Sequence, residues 1–92
     1  MSKKYAGSFV VSNEKGLHTR PSTELVKCAT GFKAHVTLHY AGISVNAKSL
    51  LGILMLAAPR GSKINVEAVG EDAEEAVRSV VELAENKFYI KY

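Results

Sequence analysis

Hydrophobic and polar positions change period several times along the chain. From Tyr5 to Val11 they alternate, with Phe9 and Val11 on one side and Ser8 and Val10 on the other, which predicts a strand. Asn13-Glu14-Lys15-Gly16 reads as a loop. From Pro21 to Thr30 the positions Pro21, Leu25, Cys28 and Ala29 recur at helical spacing, and Gly31 closes that helix. Alternation returns from Ala34 to Tyr40, with Ala34, Val36, Leu38 and Tyr40 inward and His35, Thr37 and His39 outward. Ala41-Gly42 turns the chain into a short antiparallel return, Ile43 to Val45. Ser49 to Leu56 is a short helix, broken by Pro59-Arg60-Gly61. Lys63 to Val69 is a strand with Ile64, Val66 and Ala68 inward. Asp72 and Glu75 have the spacing of a capping box ahead of a last helix, Ala73 to Asn86, whose apolar stripe is Ala73, Ala76, Val77, Val80, Val81 and Ala84. The order βαββαβα is an α+β pattern. A two-layer arrangement satisfies it: a four-stranded, mainly antiparallel sheet with three helices on one face and water on the other.

Composition narrows this picture. A chain of 92 residues without repeats or linkers fits a single domain over residues 1–92. Hydrophobic residues at 47% and charged residues at 23% suit a folded globular domain. The single cysteine, Cys28, excludes an internal disulfide framework, and it follows the buried stripe of its helix as a packing residue. Residues 1–8 contain no apolar segment of the signal-peptide kind, and the run Leu50 to Pro59 is too short to insert in a membrane. The expected compartment is the cytoplasm. The net charge of +3 comes from scattered lysines and arginines, so no nucleic-acid surface is expected. An RNA-binding sandwich would also need exposed aromatics on its central strands, where this chain has His35, Thr37 and His39.

The chemistry concentrates in Gly16-Leu17-His18-Thr19-Arg20-Pro21-Ser22. Here a glycine turns the chain and a helix begins, with His18 at the expected N-cap and Pro21 in the first turn. The free N–H groups of Thr19 and Arg20 would point at whatever occupies the cap, and the helix dipole adds partial positive charge. The same charge disfavours imidazolium, leaving a neutral, nucleophilic ring. Arg20 can present a guanidinium to phosphoryl oxygens. Histidine is not a preferred N-cap residue, which argues against an incidental cap. The arrangement suits phosphoryl transfer through histidine.

Two segments carry a family resemblance. Gly16-Leu17-His18-Thr19-Arg20-Pro21 resembles the active-site signature of the histidine-containing phosphocarrier (HPr) family of the bacterial sugar phosphotransferase system. Val45-Asn46-Ala47-Lys48-Ser49-Leu50-Leu51-Gly52-Ile53-Leu54 resembles that family's second signature, around a regulatory serine. The resemblance implies the open-faced βαββαβα sandwich with sheet order β1-β4-β2-β3. It implies a phosphoprotein, not an enzyme, that takes a phosphoryl group on Nδ1 of His18 from phosphorylated enzyme I and passes it to an enzyme IIA. Arg20 would stabilise the group. No cofactor is implied, and the chain would act as a monomer. Ser22 stands where the family commonly has alanine, and the aromatic tail Lys87-Phe88-Tyr89-Ile90-Lys91-Tyr92 runs past the family's usual end, either packing back on the domain or meeting a partner.

Ser49 suits the N-cap of its short helix whatever else it does. The resemblance adds phosphorylation of Ser49 by an HPr kinase/phosphorylase, and with it a regulatory binding role toward a transcriptional regulator. The helix after Ser49 is apolar nearly all round. Ile53 and Leu56 are expected inside, and Leu50, Leu51 and Leu54 are expected to form a docking patch beside His18, framed by Arg20, Lys27 and Lys48. His35 and His39, four apart on a strand and so about 13 Å apart, are too distant to share a metal. Glu71, Asp72, Glu74 and Glu75 read as helix N-terminal charges, so no metal site is expected.

Overall fold

The computed structural model describes residues 3–92; Met1 and Ser2, at the head of the stretch inspected for a leader, lie outside the described residues. Strand β1 (Lys4–Val10) leads to helix α1 (Thr19–Thr30), the hairpin β2 (His35–Tyr40) and β3 (Ile43–Asn46), helix α2 (Leu50–Met55), strand β4 (Lys63–Val69) and helix α3 (Ala73–Glu85). The strands form one antiparallel sheet in the order β1-β4-β2-β3. Registers such as Phe9↔Ile64 and Leu38↔Val66 bring the apolar members of each alternation to one face. There Phe9, Val36, Leu38, Ile64, Val66 and Ala68 are buried against Leu25 and Ala29 of α1, Ile53 of α2 and Ala76, Val77 and Val80 of α3. The opposite face stays polar: Glu67 pairs with Lys4 at 3.0 Å and approaches Nε2 of His39 at 3.7 Å. No helix among the described residues is long and apolar enough to cross a membrane.

Helix α1 starts two residues earlier than its apolar spacing suggests, at Thr19. Pro21 is then the third helical residue, where its missing N–H still costs no intrahelical bond. Gly31 closes the helix at φ −72°, in the right-handed region, so its freedom to go left-handed is unused. Cys28 is half-buried, at the rim of the stripe, and burial pushes its thiol up.

The capping box expected at α3 does not form. Asp72 occupies the N-cap, but its carboxylate accepts from the main-chain N–H groups of Lys33 and Ala34, each at 2.9 Å. The hydrogen bond from Lys33 is the main cause that holds its carboxyl below the usual range. Spacing alone suggested a local partner; the fold offers donors in the α1–β2 loop instead, and the carboxylate turns to them rather than to the first turn of α3.

After α3 the chain reverses through Lys87, Phe88 and Tyr89, at φ 54°, 57° and 57°. Left-handed backbone costs a non-glycine residue about 1–2 kcal/mol, so it persists only where tertiary contacts enforce it. Here Phe88 is wholly buried, edge-on to Phe9 at 6.0 Å between ring centroids. Buried Asn13 donates from Nδ2 to the carbonyls of Lys87 (3.0 Å) and Ile90 (3.5 Å). The tail therefore packs back on the domain, stapled by a loop residue with no periodic signature.

Candidate functional site

The loop before α1 is clamped from both sides. Gly16 sits at φ 68°, and a Cβ there would lie 2.4 Å from the carbonyl oxygen of Ala58 and 2.9 Å from Cα of Pro59, so only glycine fits. Leu17 is buried, and its N–H donates to the Ala58 carbonyl at 2.9 Å. Buried Ser22 donates from Oγ to the Leu17 carbonyl at 3.1 Å, which gives the departure from alanine a local use.

This clamp delivers His18 to the N-cap of α1 in extended backbone (φ −79°, ψ −172°). Its carbonyl accepts the first helical bond, from Ser22 N–H at 3.1 Å, but its side chain caps nothing. The N–H groups of Thr19 and Arg20 precede the first intrahelical donor and so are offered to an incoming anion. No acidic residue stands in the first turn of α1, and Arg20 is exposed beside the half-buried His18.

The tail completes the site in a way the local sequence did not disclose. The Tyr92 ring stacks on the His18 imidazole, with centroids 5.7 Å apart and planes at 24°. Nε2 of His18 lies 3.1 Å from the main-chain oxygen of Tyr92. Nη1 of Arg20 donates to the Tyr92 hydroxyl at 2.7 Å. Nζ of Lys15 and Cζ of Arg20 stand 5.2 and 5.6 Å from the Tyr92 ring centroid, positions that suit cation–π attraction. Lys15 and Tyr92 are thus site residues that sequence reasoning missed. Lys15 was an unremarkable loop charge, and the only hint of Tyr92 was the aromatic bias of the tail.

Ser49 caps α2 as expected, its Oγ accepting from Gly52 N–H at 3.1 Å. Ile53 and Leu56 are buried, Leu54 is partly covered, Leu50 is exposed and Leu51 is 70% exposed. Met55, not anticipated in the patch, is 67% exposed and shares that surface. The three cations expected around the patch divide between its two ends. Lys48, just before α2, donates to the carbonyl of Phe32 beyond the end of α1 (2.7 Å), while the segment after α2 meets Leu17. The two helices are therefore antiparallel. Lys48 lies at the far end from His18, and so does Lys27, nine residues along α1 or about 13 Å away and paired with Glu24 at 3.4 Å. Arg20, joined by Lys15, thus charges the end of this surface at His18, and Lys27 and Lys48 charge the other end.

A sheet with helices on one face, and an N-cap histidine beside an arginine and free helix amides, suit the class of phosphoryl-carrier proteins. A family model described as the PTS HPr component phosphorylation site matches residues 6–86. The chain is 42% identical over 80 residues to the phosphocarrier protein HPr of Xylella fastidiosa (strain 9a5c), covering 87% of this chain and 90% of that protein. Its fold is similar to that of HPr-C-His from Thermoanaerobacter tengcongensis (TM-score 0.90, 33% identity, 96% of this chain and 99% of that one). It is also similar to a phosphocarrier protein HPr from Bacillus anthracis (TM-score 0.81, 37% identity, 86% and 94% covered). The chain belongs to the HPr family of phosphocarrier proteins of the phosphotransferase system.

Proposed function

We propose that residues 1–92 act as one phosphoryl-relay unit in which His18 is the acceptor. It takes a phosphoryl group from phosphorylated enzyme I, itself charged by phosphoenolpyruvate, and yields it to an enzyme IIA. The observation that supports this is the cap of α1: a histidine that leaves the helix amides free, with Arg20 and Lys15 beside it and no acidic residue in the first turn. In the transfer the neutral imidazole attacks phosphorus, a P–N bond forms, and the donor leaves with the electron pair of the broken bond. The amides of Thr19 and Arg20 and the Arg20 guanidinium take up charge on the phosphoryl oxygens. An exposed helix terminus contributes only about 0.3–1 kcal/mol per charge, which steadies the group without trapping it. His18 is regenerated with each onward transfer, so the chain is a relay rather than a catalyst, working in the cytoplasm. Leu50, Leu51, Leu54 and Met55 form the apolar surface on which its protein partners dock, with Lys27 and Lys48 charging the far end of that surface.

Ser49 supports a second, compatible role. A phosphate at the N-terminus of α2 is locally favoured, and it would reverse the charge beside exposed Leu50 and Leu51. A serine kinase acting there would regulate docking and create a surface for a transcriptional regulator.

Incubation with phosphoenolpyruvate and enzyme I is expected to give an acid-labile, base-stable adduct. Uptake by His18→Ala would exclude His18 as the acceptor. Labelling from ATP by an HPr kinase, lost in Ser49→Ala, tests the second role.

A further inference from the structure

Phe88 and Ile90 already close the core beneath the tail. Two residues further on, Tyr92 does nothing for that core, being 37% exposed, yet it touches each reactive group of the acceptor site. Resting on the reading of His18 as acceptor, we propose that Tyr92 is a positioning residue for phosphoryl transfer. Its main-chain oxygen holds the imidazole proton on Nε2 and leaves the lone pair on Nδ1, while its phenol holds the Arg20 guanidinium beside the ring.

The bond of 3.1 Å between Nε2 and the Tyr92 oxygen carries the argument. A main-chain oxygen only accepts, so Nε2 must be the donor. A neutral imidazole that donates from Nε2 has its lone pair on Nδ1. The Tyr92 ring, stacked at 24°, covers one imidazole face and opposes the ring flip that would exchange the nitrogens. Nε2 is thereby occupied and Nδ1 becomes the sole nucleophile.

The same contact suits both directions of the relay. When the Nδ1 lone pair forms the P–N bond and the donor departs with its pair, the ring keeps its Nε2 proton and gains positive charge. The Tyr92 oxygen then accepts from a positively charged donor, a stronger hydrogen bond than the one it replaces. In onward transfer the P–N pair returns to Nδ1 and neutral imidazole leaves, with the proton still on Nε2. No proton has to move in either step. The phenol is a neutral acceptor for Arg20 at 2.7 Å, so a dianionic phosphoryl group would displace it readily.

The test compares the full chain with a chain stopped after Lys91 and with Tyr92→Ala; Phe88 and Ile90 stay in place in both. Phosphoramidate serves as the donor, which needs no enzyme I: its P–N bond breaks and ammonia leaves as the bond to histidine forms. Nitrogen-15 NMR of the imidazole is expected to show the Nε2–H tautomer in the full chain, with phosphate on Nδ1 only. In the shortened chain the tautomers mix and the Nε2 phospho-isomer appears. Ethoxycarbonylation of His18 relative to His35 and His39 rises about fivefold, what one hydrogen bond of ordinary net worth supplies. Tyr92→Ala, which keeps a main chain but loses the stacked ring, falls between. An Nδ1–H tautomer in the full chain overturns the proposal. So do identical tautomers, isomers and modification ratios in all three chains. Loss of the acceptor reading would look different: neither enzyme I nor phosphoramidate would place phosphate on His18 of the full chain, whatever its tautomer.

Discussion

Helices α1 and α2 both start from an extended residue, yet they treat their first amides in opposite ways. Ser49 turns its hydroxyl onto Gly52 N–H and satisfies its own helix. His18 caps nothing; its ring is drawn away to the Tyr92 oxygen, and the N–H groups of Thr19 and Arg20 are left for another molecule. A helix start that is completed locally gains stability, and one left incomplete keeps an anion site open. The favourable caps are serine, threonine, aspartate and asparagine, each worth about 1 kcal/mol over alanine, so a histidine here forgoes stability that α2 takes. The difference separates a structural helix start from a chemical one.

His18→Ser would make the two starts alike and should have the largest effect. Phosphoryl uptake from enzyme I is expected to fall to background, while thermal or denaturant unfolding shows a gain of about 0.5–1 kcal/mol from the new cap. Loss of both uptake and stability would mean that the free amides are not what distinguishes α1.

Phe88→Ala attacks the device that holds the tail over α1 and leaves α2 untouched. Emptying a wholly buried phenylalanine is expected to cost about 3–5 kcal/mol in denaturant unfolding. Under native conditions the resonances of His18 and Arg20 should move while those of Ser49 and Gly52 stay. A change of equal size at both helix starts would show that the tail is not specific to the acceptor site.

Ser49→Ala should cost about 1 kcal/mol, the ordinary worth of an N-cap, with no change in phosphoryl uptake at His18. Equilibrium unfolding and an uptake assay on the same preparation separate the two results.

The start of α3 supplies the smallest effect and a third kind of cap. Asp72 has its carboxyl held low, chiefly by the Lys33 N–H and also by that of Ala34. A carboxyl lowered on folding contributes stability that is present in full above its unfolded value of about 3.9. That contribution is lost as the pH falls through the lower folded value. Asp72→Asn should flatten this acid limb of the stability profile; an unchanged limb would place its origin elsewhere.

These helix starts also show where reading along the chain succeeds. The strand β4 (Lys63–Val69) carries its alternation intact, so its boundaries and inward face were legible from hydrophobicity alone. Gly16, His18 and Pro21 were legible because the demands on them are local: a sharp turn, a cap and a first helical turn. Asp72 was misread because capping-box spacing is necessary but not sufficient; its carboxylate chose donors 38 and 39 residues away. Which end of the patch each of Arg20, Lys27 and Lys48 charges was illegible for a similar reason. Charge along the chain says nothing of the antiparallel run of α1 and α2, which sends both lysines away from His18.

Local sequence thus determined the elements, the core faces and the choice of His18 as the proposed acceptor, because each follows from periodicity or from groups within one turn. Tertiary structure alone decided what the histidine touches. Tyr92 is 74 residues from His18, and it arrives there through a left-handed turn that only the buried Phe88 and the amide of Asn13 can hold. No periodicity encodes a turn whose backbone is unfavourable by itself. It exists because the folded core gives Phe88 somewhere to go.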